Sequence, residues 1–401
     1  MSPVVPDLYS FLGSRAARVT LVMSCLFGAY GVTLAFLPRW LEVERGMDGA
    51  AIGAILSLSQ FARIFTGPAV AFWADGANDR RAPLRLLLTA AVLAYAAFFL
   101  AADGFWSLLA IGFVALSLTQ ALTPLVEAAT LRATANGRIS YGVARGIGSV
   151  SFIIANVAGG VLIAQFGLVA VVVWTLCGLS FAALSSWLVM QPDPPLAGVE
   201  RLARFGALRA LLRSRRYLIL IVACGLIQCA HAFYYSFSVL VWRGQGISPE
   251  TAGVLWAFGV AVEVSFLWSL TPIERRVTPE AMIVIGAAGG MLRWAAMGFA
   301  PDGFVLWPLQ ALHALSFAAT HVGAMRLLYR ETPEHAAAMA QTLYAALAAG
   351  LFMGLSTLAS GLLYDFVGAR GYWAMAAIAA VGGALALLLL RPAARSMATS
   401  R

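Results

Sequence analysis

Apolar runs of roughly 20 residues, separated by short polar breaks, recur along the whole chain. A helix of that length crosses the ~30 Å hydrocarbon core of a bilayer. Twelve such runs begin near Val19, Ala51, Leu86, Phe105, Gly142, Leu168, Tyr217, Ala252, Ala281, Phe304, Ala336 and Tyr372. Twelve crossings leave short loops and no room for a soluble catalytic domain. The longest polar break, Gln191 to Arg216, opens with Gln191-Pro192-Asp193-Pro194-Pro195 and divides the runs six and six. The pattern therefore predicts an all-α membrane protein with twelve transmembrane helices in two six-helix halves, residues 1–190 and 217–401, joined by a cytoplasmic linker over 191–216. Within the linker, Leu202, Phe205, Leu208, Leu211 and Leu212 recur at helical spacing among arginines, which predicts an amphipathic tether on the inner leaflet. The spacings Gly142-x-x-x-Gly146 and Gly350-x-x-x-Gly354 would let neighbouring helices approach closely.

Composition agrees with this reading: 61% of residues are hydrophobic and 11% charged, against about 45 to 50% apolar in soluble domains. The net charge of +9 does not point to nucleic acid, because the arginines, which supply every basic residue, are sorted by side of the membrane. With the N-terminus taken as cytoplasmic, nineteen of the 27 fall inside, and only Arg39, Arg45, Arg243 and Arg370 fall outside. Both termini are thus expected in the cytoplasm, with the chain multi-pass in a bacterial inner membrane. The first run is long and lacks an A-x-A-like cleavage site, so it reads as a retained span. Cys25, Cys177, Cys224 and Cys229 lie in apolar runs with no metal spacing and read as packing residues. No nucleophile with a base, no H-E-x-x-H and no phosphate loop is visible, which argues against an enzyme and gives no reason to expect a cofactor. The expected partners are a small-molecule substrate, protons and the bilayer, acting on a monomer.

Four charged residues interrupt the apolar runs in pairs: Glu127 with Arg145, and Glu263 with Arg293. An ionised side chain in hydrocarbon costs at least ~2.5 to 3.5 kcal/mol on insertion scales, so such residues face a bundle interior or wet cavity and mark a pathway. Glu127 and Arg145, eighteen residues apart on consecutive antiparallel spans, form either a substrate site or an inter-helix salt bridge. Glu263, Arg293 and His313 lie mid-span on three helices, an arrangement able to exchange a proton, with His321 eight residues further along. Their alternative is a fixed buried pair. His231, Tyr235 and Ser238 form a polar stripe at i, i+4 and i+7 that can line a cavity. Arg63, mid-span, can attract an anion or pair with a carboxylate; Arg326, nearer an edge, is expected to snorkel. His335, in the loop after Glu331, reads as a surface residue.

After the second span, Ala74-Asp75-Gly76-Ala77-Asn78-Asp79-Arg80-Arg81 resembles, in degraded form, the loop signature of the major facilitator superfamily, with Ala71 where a glycine is expected. Asp75 at a span's end is expected to pair with arginines such as Arg80 and Arg81 and latch a gate. Val126-Glu127-Ala128 and Gly142-Val143-Ala144-Arg145 resemble the sugar-holding segments of the lactose permease branch, and Phe152 stands where that permease has a tryptophan. That resemblance implies substrate contact for Glu127, Arg145 and Phe152. Glu263, Arg293 and His313 resemble the same permease's coupling residues, but Ser316 replaces its second carboxylate, so Glu263, His313 or His321 would have to carry the proton. Over the C-terminal half, Gln228-Cys229-Ala230-His231-Ala232-Phe233-Tyr234-Tyr235, Leu312-His313-Ala314-Leu315-Ser316-Phe317 and Gly361-Leu362-Leu363-Tyr364-Asp365 resemble the phenylpropionate permease family, related to nucleoside proton symporters. The resemblance suggests proton symport of an aromatic acid such as phenylpropionate, while the Glu127 and Arg145 pair points toward a sugar or nucleoside, and the His231 and Tyr235 stripe would suit either an aromatic or a sugar-like substrate. Efflux of apolar drugs and a non-transporting receptor are the competing functions, and the arginine-rich interior weighs against efflux.

Overall fold

A computed structural model of the chain describes residues 13–135, 139–193, 211–332 and 336–390. They form a twelve-crossing helical bundle: α1 (Arg15–Arg45), α2 (Gly49–Gly76), α3 (Arg81–Leu100), α4 (Gly104–Thr134), α5 (Tyr141–Phe166), α6 (Val169–Leu188), α7 (Arg215–Gly244), α8 (Pro249–Trp268), α9 (Pro279–Met297), α10 (residues 306–331), α11 (residues 337–367) and α12 (Gly371–Leu387). Ten helical stretches are long and apolar enough to cross a membrane. One of them, Met339–Leu390, turns at Gly368 (φ 56°) and supplies α11 and α12. The remaining crossing, α10, is assembled from shorter helical pieces. Each predicted run starts within five residues of its helix.

Polar caps explain those starts. Ser14, Asp48, Ser140, Ser214, Ser248 and Thr278 each accept a hydrogen bond from the amide three residues on, satisfying donors that a helix leaves orphaned. Two crossings depart from simple helices. In α7 the helix stops at Cys229 and restarts at Ala232. There the His231 amide donates to Gln228 O at 3.1 Å and the ring Nδ1 takes the same carbonyl at 3.0 Å, so a side chain has entered the backbone ladder. In α10, residues Ala314–Ala319 form a π turn, a feature often found at functional sites. The Gln228 amide donates to Phe317 O at 3.3 Å and ties the two irregular segments together. The straight helical stripe expected for His231, Tyr235 and Ser238 is therefore broken, and His231 and Ser238 are buried.

The first described helix, α1, begins and the last, α12, ends on one face, called here the terminal face. Each half is tied there by a similar polar knot. In the first half, Asp193 accepts from Arg15 at 2.5 Å and Arg132 at 2.9 Å, joining the start of α1, the end of α4 and the segment after α6. In the second half, Glu280 accepts from Arg216 at 3.0 Å and from Arg330, joining the starts of α7 and α9 to the end of α10. Residues 194–210 of the linker, with most of its amphipathic pattern, and His335 lie outside the described residues.

The halves meet at the opposite, far end. There α2 packs on α11 and α5 on α8 through backbone-to-backbone contacts that only glycine permits. A Cβ at Gly361 would strike Gly49 O, and one at Gly253 would strike Asn156 O. Gly350 and Gly354 do let α11 approach Ile64 and Phe61 of α2, whereas Gly142 and Gly146 meet almost nothing. Their spacing carries no helix contact. Cross-half polar contacts gather at the far end too. Glu42 accepts from Arg243 at 3.3 Å and from Tyr364 at 3.2 Å, and Asp365 accepts from the Gly49 and Ala50 amides at 2.8 and 2.7 Å. Toward the terminal face Phe65, Phe72, Trp73 and Trp268 are exposed.

Candidate functional site

Two charge clusters, one per half, lie between these ends. In the first half, Arg145 Nε donates to Glu127 Oε1 at 3.2 Å and Nη1 donates to Ser149 at 3.0 Å. The guanidinium lies 4.5 Å over the Phe27 ring, a cation–π contact that also orients it. Both ends of the Glu127–Arg145 pair keep about a third of their side-chain surface exposed, 34% and 36%. Phe152 lies two turns along α5, half-buried, its carbonyl beside Gly31 of α1. Arg63 donates to Gln120 Oε1 at 3.3 Å, and Gln120 in turn donates to Ser59 at 3.3 Å. Glu127 and Tyr30 lie within electrostatic reach of Arg63. No carboxylate among the described residues stands within ion-pair distance of it.

The second-half cluster is buried more deeply and connected more completely. Arg293, 0% exposed, donates from Nη1 to His313 Nδ1 at 3.0 Å and from Nη2 to Gln310 Oε1 at 2.9 Å. Nη1 also reaches Ser316 Oγ at 3.5 Å. The guanidinium lies 4.5 Å from the Tyr234 ring and 4.4 Å from Trp294. Tyr234 adds a hydrogen bond to Gln310 Oε1 at 2.9 Å. His313 Nε2 stands 3.2 Å from Glu263, and His231 Nε2 stands 3.1 Å from Ser316.

Partner chemistry fixes both tautomers. Arginine only donates, so His313 Nδ1 accepts and Nε2–H donates to Glu263. His231 Nδ1 faces a carbonyl and must donate, so Nε2 accepts from the Ser316 hydroxyl. A continuous chain of hydrogen bonds runs from Glu263 through His313, Arg293 and Ser316 to His231, with both imidazoles neutral.

Tyr235, half-buried, stacks on His231 at 5.7 Å. His321 is exposed and stacks on Phe317, which stacks on His313. His231 itself is 0% exposed with both nitrogens used, which sets it behind the wall that Tyr235 presents.

The latch expected around Asp75 is arranged differently. Asp75 is exposed, and no described arginine pairs with it. Its neighbour Asp79 pairs with Arg81 and accepts from the Asp193 amide at 3.2 Å. Arg80 is buried and donates its own amide to Asp193 O at 3.0 Å. Burial opposes ionisation of Asp79, but hydrogen bonds from Arg81 and from the Asp193 amide outweigh it and hold the carboxyl below its ordinary range. The acid that gathers the loop is Asp193, within the proline-rich start of the linker. Arg326 pairs with Glu274, in the segment after α8, at 3.4 Å. Gln310, Gln120 and Asp365 also escaped the sequence reading. Gln310 lies three residues before His313, one turn along the same helix face, and that spacing was a usable signal.

A separate recess of about 700 Å³ lies between α1, α5 and α6, lined by residues such as Cys25, Phe166, Trp174, Cys177 and Phe181. Cys177 is exposed there, contrary to the packing role expected of it. The indole of Trp174 is spent on Gly28 O at 2.9 Å, and none of the charged residues above reaches this recess.

A twelve-helix bundle whose halves pair closely at one end, with charged residues among its helices, is the architecture of a membrane transporter of the major facilitator type. The chain belongs to the MFS_1-like family, whose family model matches residues 18–375. It is 30% identical over 370 residues to the probable 3-phenylpropionic acid transporter of Escherichia coli (strain K12), covering 91% of this chain and 94% of the relative. It is 29% identical over 389 residues to the maltose permease of Geobacillus stearothermophilus, covering 95% and 96%. In fold it is similar to a variant of the nucleoside transporter NupG, with a TM-score of 0.83 at 15% identity over 94% of this chain and 100% of that one. It is also similar to a bacterial homologue of the human lysosomal transporter Spinster in an inward-facing, unoccupied conformation, with a TM-score of 0.74 at 14% identity over 96% and 98%.

Proposed function

We propose that this transporter imports a small aromatic monocarboxylate by proton symport across a bacterial inner membrane, with the terminal face in the cytoplasm. The arginine bias supports that orientation. With the far end sealed by the glycine contacts the state is read as inward-facing, and transport proceeds by rocking of the halves around a midplane site. The observation that carries the substrate class is Arg63: a guanidinium among membrane helices whose direct partner is the neutral Gln120. A substrate carboxylate supplies the missing anion by a charge-assisted, forked hydrogen bond. Tyr235, Phe27 and Phe152 offer ring faces for an apolar body.

Glu127 would repel a carboxylate if it stood alone. Its pairing with Arg145 removes that objection and weakens the sugar or nucleoside reading, which needs a carboxylate free to accept hydroxyls. Protonation supplies the bias between states that symport requires, through the group Glu263, Arg293, His313 and His321. The relative named for 3-phenylpropionic acid agrees with the acid arm of this reading.

The test is uptake by the purified protein in proteoliposomes under an inward proton gradient. Accumulation of 3-phenylpropionate above protein-free vesicles, lost in Arg63→Gln, is expected. Uptake of maltose or uridine, with 3-phenylpropionate failing to compete, would overturn the acid assignment.

A further inference from the structure

The charges of the two clusters can be counted, and the count differs from one half to the other. In the first half, Arg63 and Arg145 share the single carboxylate Glu127, which pairs directly with Arg145. One positive charge is left over. In the second half, Arg293 is balanced by Glu263, but only through the neutral ring of His313. That half sums to zero.

The hydrogen-bond polarity then limits where a proton can bind. His313 Nδ1 faces an Arg293 N–H; protonating it would set two donors against each other beside a buried cation. His231 Nδ1 already donates to Gln228 O, and a proton on Nε2 would oppose the Ser316 hydroxyl and add a second cation to a fully buried ring. Glu127 has a guanidinium on it. Glu263 differs from all of these, since its direct partner is a neutral N–H that serves the acid and the carboxylate alike. The groups facing it are His313 and His321 from α10, Tyr235 from α7 and, beyond His313, Arg293 from α9.

We propose that each carboxylate substrate travels with one proton, the anion on Arg63 and the proton on Glu263, so that the cycle moves no net charge. This rests on the reading of the protein as a proton-coupled carboxylate importer. The empty carrier, with Glu263 ionised, holds one positive charge between its halves. The carrier loaded with one anion and one proton holds the same charge. The form carrying the proton alone holds two positive charges in a low-dielectric interior, where the second is costly, whereas the form carrying the anion alone sums to zero. Binding of the proton therefore depends on the anion, with no need for a second intramembrane acid. Ser316 can therefore replace a carboxylate without loss of function.

The test uses the full chain in proteoliposomes with 3-phenylpropionate, taking initial rates above those of protein-free vesicles. With the potential clamped at zero, the final accumulation ratio should rise about tenfold per unit of inward proton gradient, and a trapped pH indicator should report one proton per anion. With no proton gradient, an imposed potential of either sign should leave the rate unchanged, although ~60 mV would change a single-charge transport ratio tenfold. Potential-driven uptake, or a ratio other than one, overturns the inference and leaves the transport reading standing. Uptake no faster than protein-free vesicles under every gradient overturns the transport reading and the inference with it. In Glu263→Gln, 3-phenylpropionate binding in detergent should lose its dependence on pH. A dependence that survives there moves the proton to His321 or elsewhere and overturns the assignment.

Discussion

The two charge clusters use similar residues in opposite ways. In the first half the ion pair is direct, partly exposed and left with a surplus cation. In the second the acid and the guanidinium are separated by an imidazole, the arginine is sealed among Tyr234, Trp294 and Gln310, and the charges balance. A half-exposed pair is screened and contributes little. A buried guanidinium held by His313 and Gln310 is costly to disturb, because removing it leaves His313 Nδ1 without its donor and Gln310 Oε1 with Tyr234 alone. The difference teaches that one half is built to lack an anion and the other to hold a proton.

The sharpest way to break this comparison is Arg293→Gln. It removes the donor to His313 and Gln310 and strands Glu263 without a compensating cation. We expect uptake to fall by more than about 100-fold, on the basis of ~3 to 5 kcal/mol for unpairing a buried charge. A lower melting temperature should accompany the loss. Uptake within tenfold of the parent would show that the second cluster is a passive structural feature. Next is Arg63→Gln against Arg145→Gln. The first should raise the KM for 3-phenylpropionate by about 10- to 100-fold, matching ~1.5 to 3 kcal/mol for a hydrogen bond to a charged group. The second should cost several-fold less, since Arg63 remains. The reverse order would place the substrate anion on Arg145.

How much of this was legible in the chain depends on what carried the signal. Hydropathy placed every crossing, because a bilayer demands a run of fixed length, and Glu127, Arg145, Glu263 and Arg293 stood out because charge in an apolar run is conspicuous, although Glu263 meets His313 directly and not Arg293. Gln310 was not, since an uncharged amide does not stand out in sequence, yet it accepts two of the hydrogen bonds that hold Arg293 and Tyr234. Asp193 was hidden in a proline-rich segment that reads as a tether. The break at His231 was invisible because no proline or glycine marks it: the histidine's own ring takes the carbonyl. The far-end seal depends on which glycines among 38 meet a backbone across the interface, and only the fold decides that.

The seal allows a smaller test of the same division of labour. Gly361→Ala sets a methyl group against Gly49 O, and overpacking costs about 1 to 3 kcal/mol. The expected result is a shift toward the far-end-open state of roughly tenfold, read as faster thiol labelling of a cysteine introduced at Glu42. The pH dependence of substrate binding should keep its shape, because neither cluster is touched. A changed pH profile would mean that the proton site reports the state of the far gate directly.

The smallest effect is expected at the loop after α2, outside the membrane, where Asp79 is held ionised by Arg81 and the Asp193 amide. A carboxyl depressed in the folded state stabilises it fully above the unfolded value, ~3.9, and loses that contribution as pH falls through the folded value. Asp79→Asn should therefore lower the melting temperature slightly at pH 7, by less than about 1 kcal/mol for a partly exposed pair. The difference from the parent should shrink steadily below pH 4. The corresponding knot in the second half rests on Glu280 between Arg216 and Arg330, so the Asp79 variant should leave substrate affinity and the proton count unaltered. Were the proton count to change, the terminal-face knot of the first half would belong to the coupling machinery, and the division between an anion-binding half and a proton-binding half would fail.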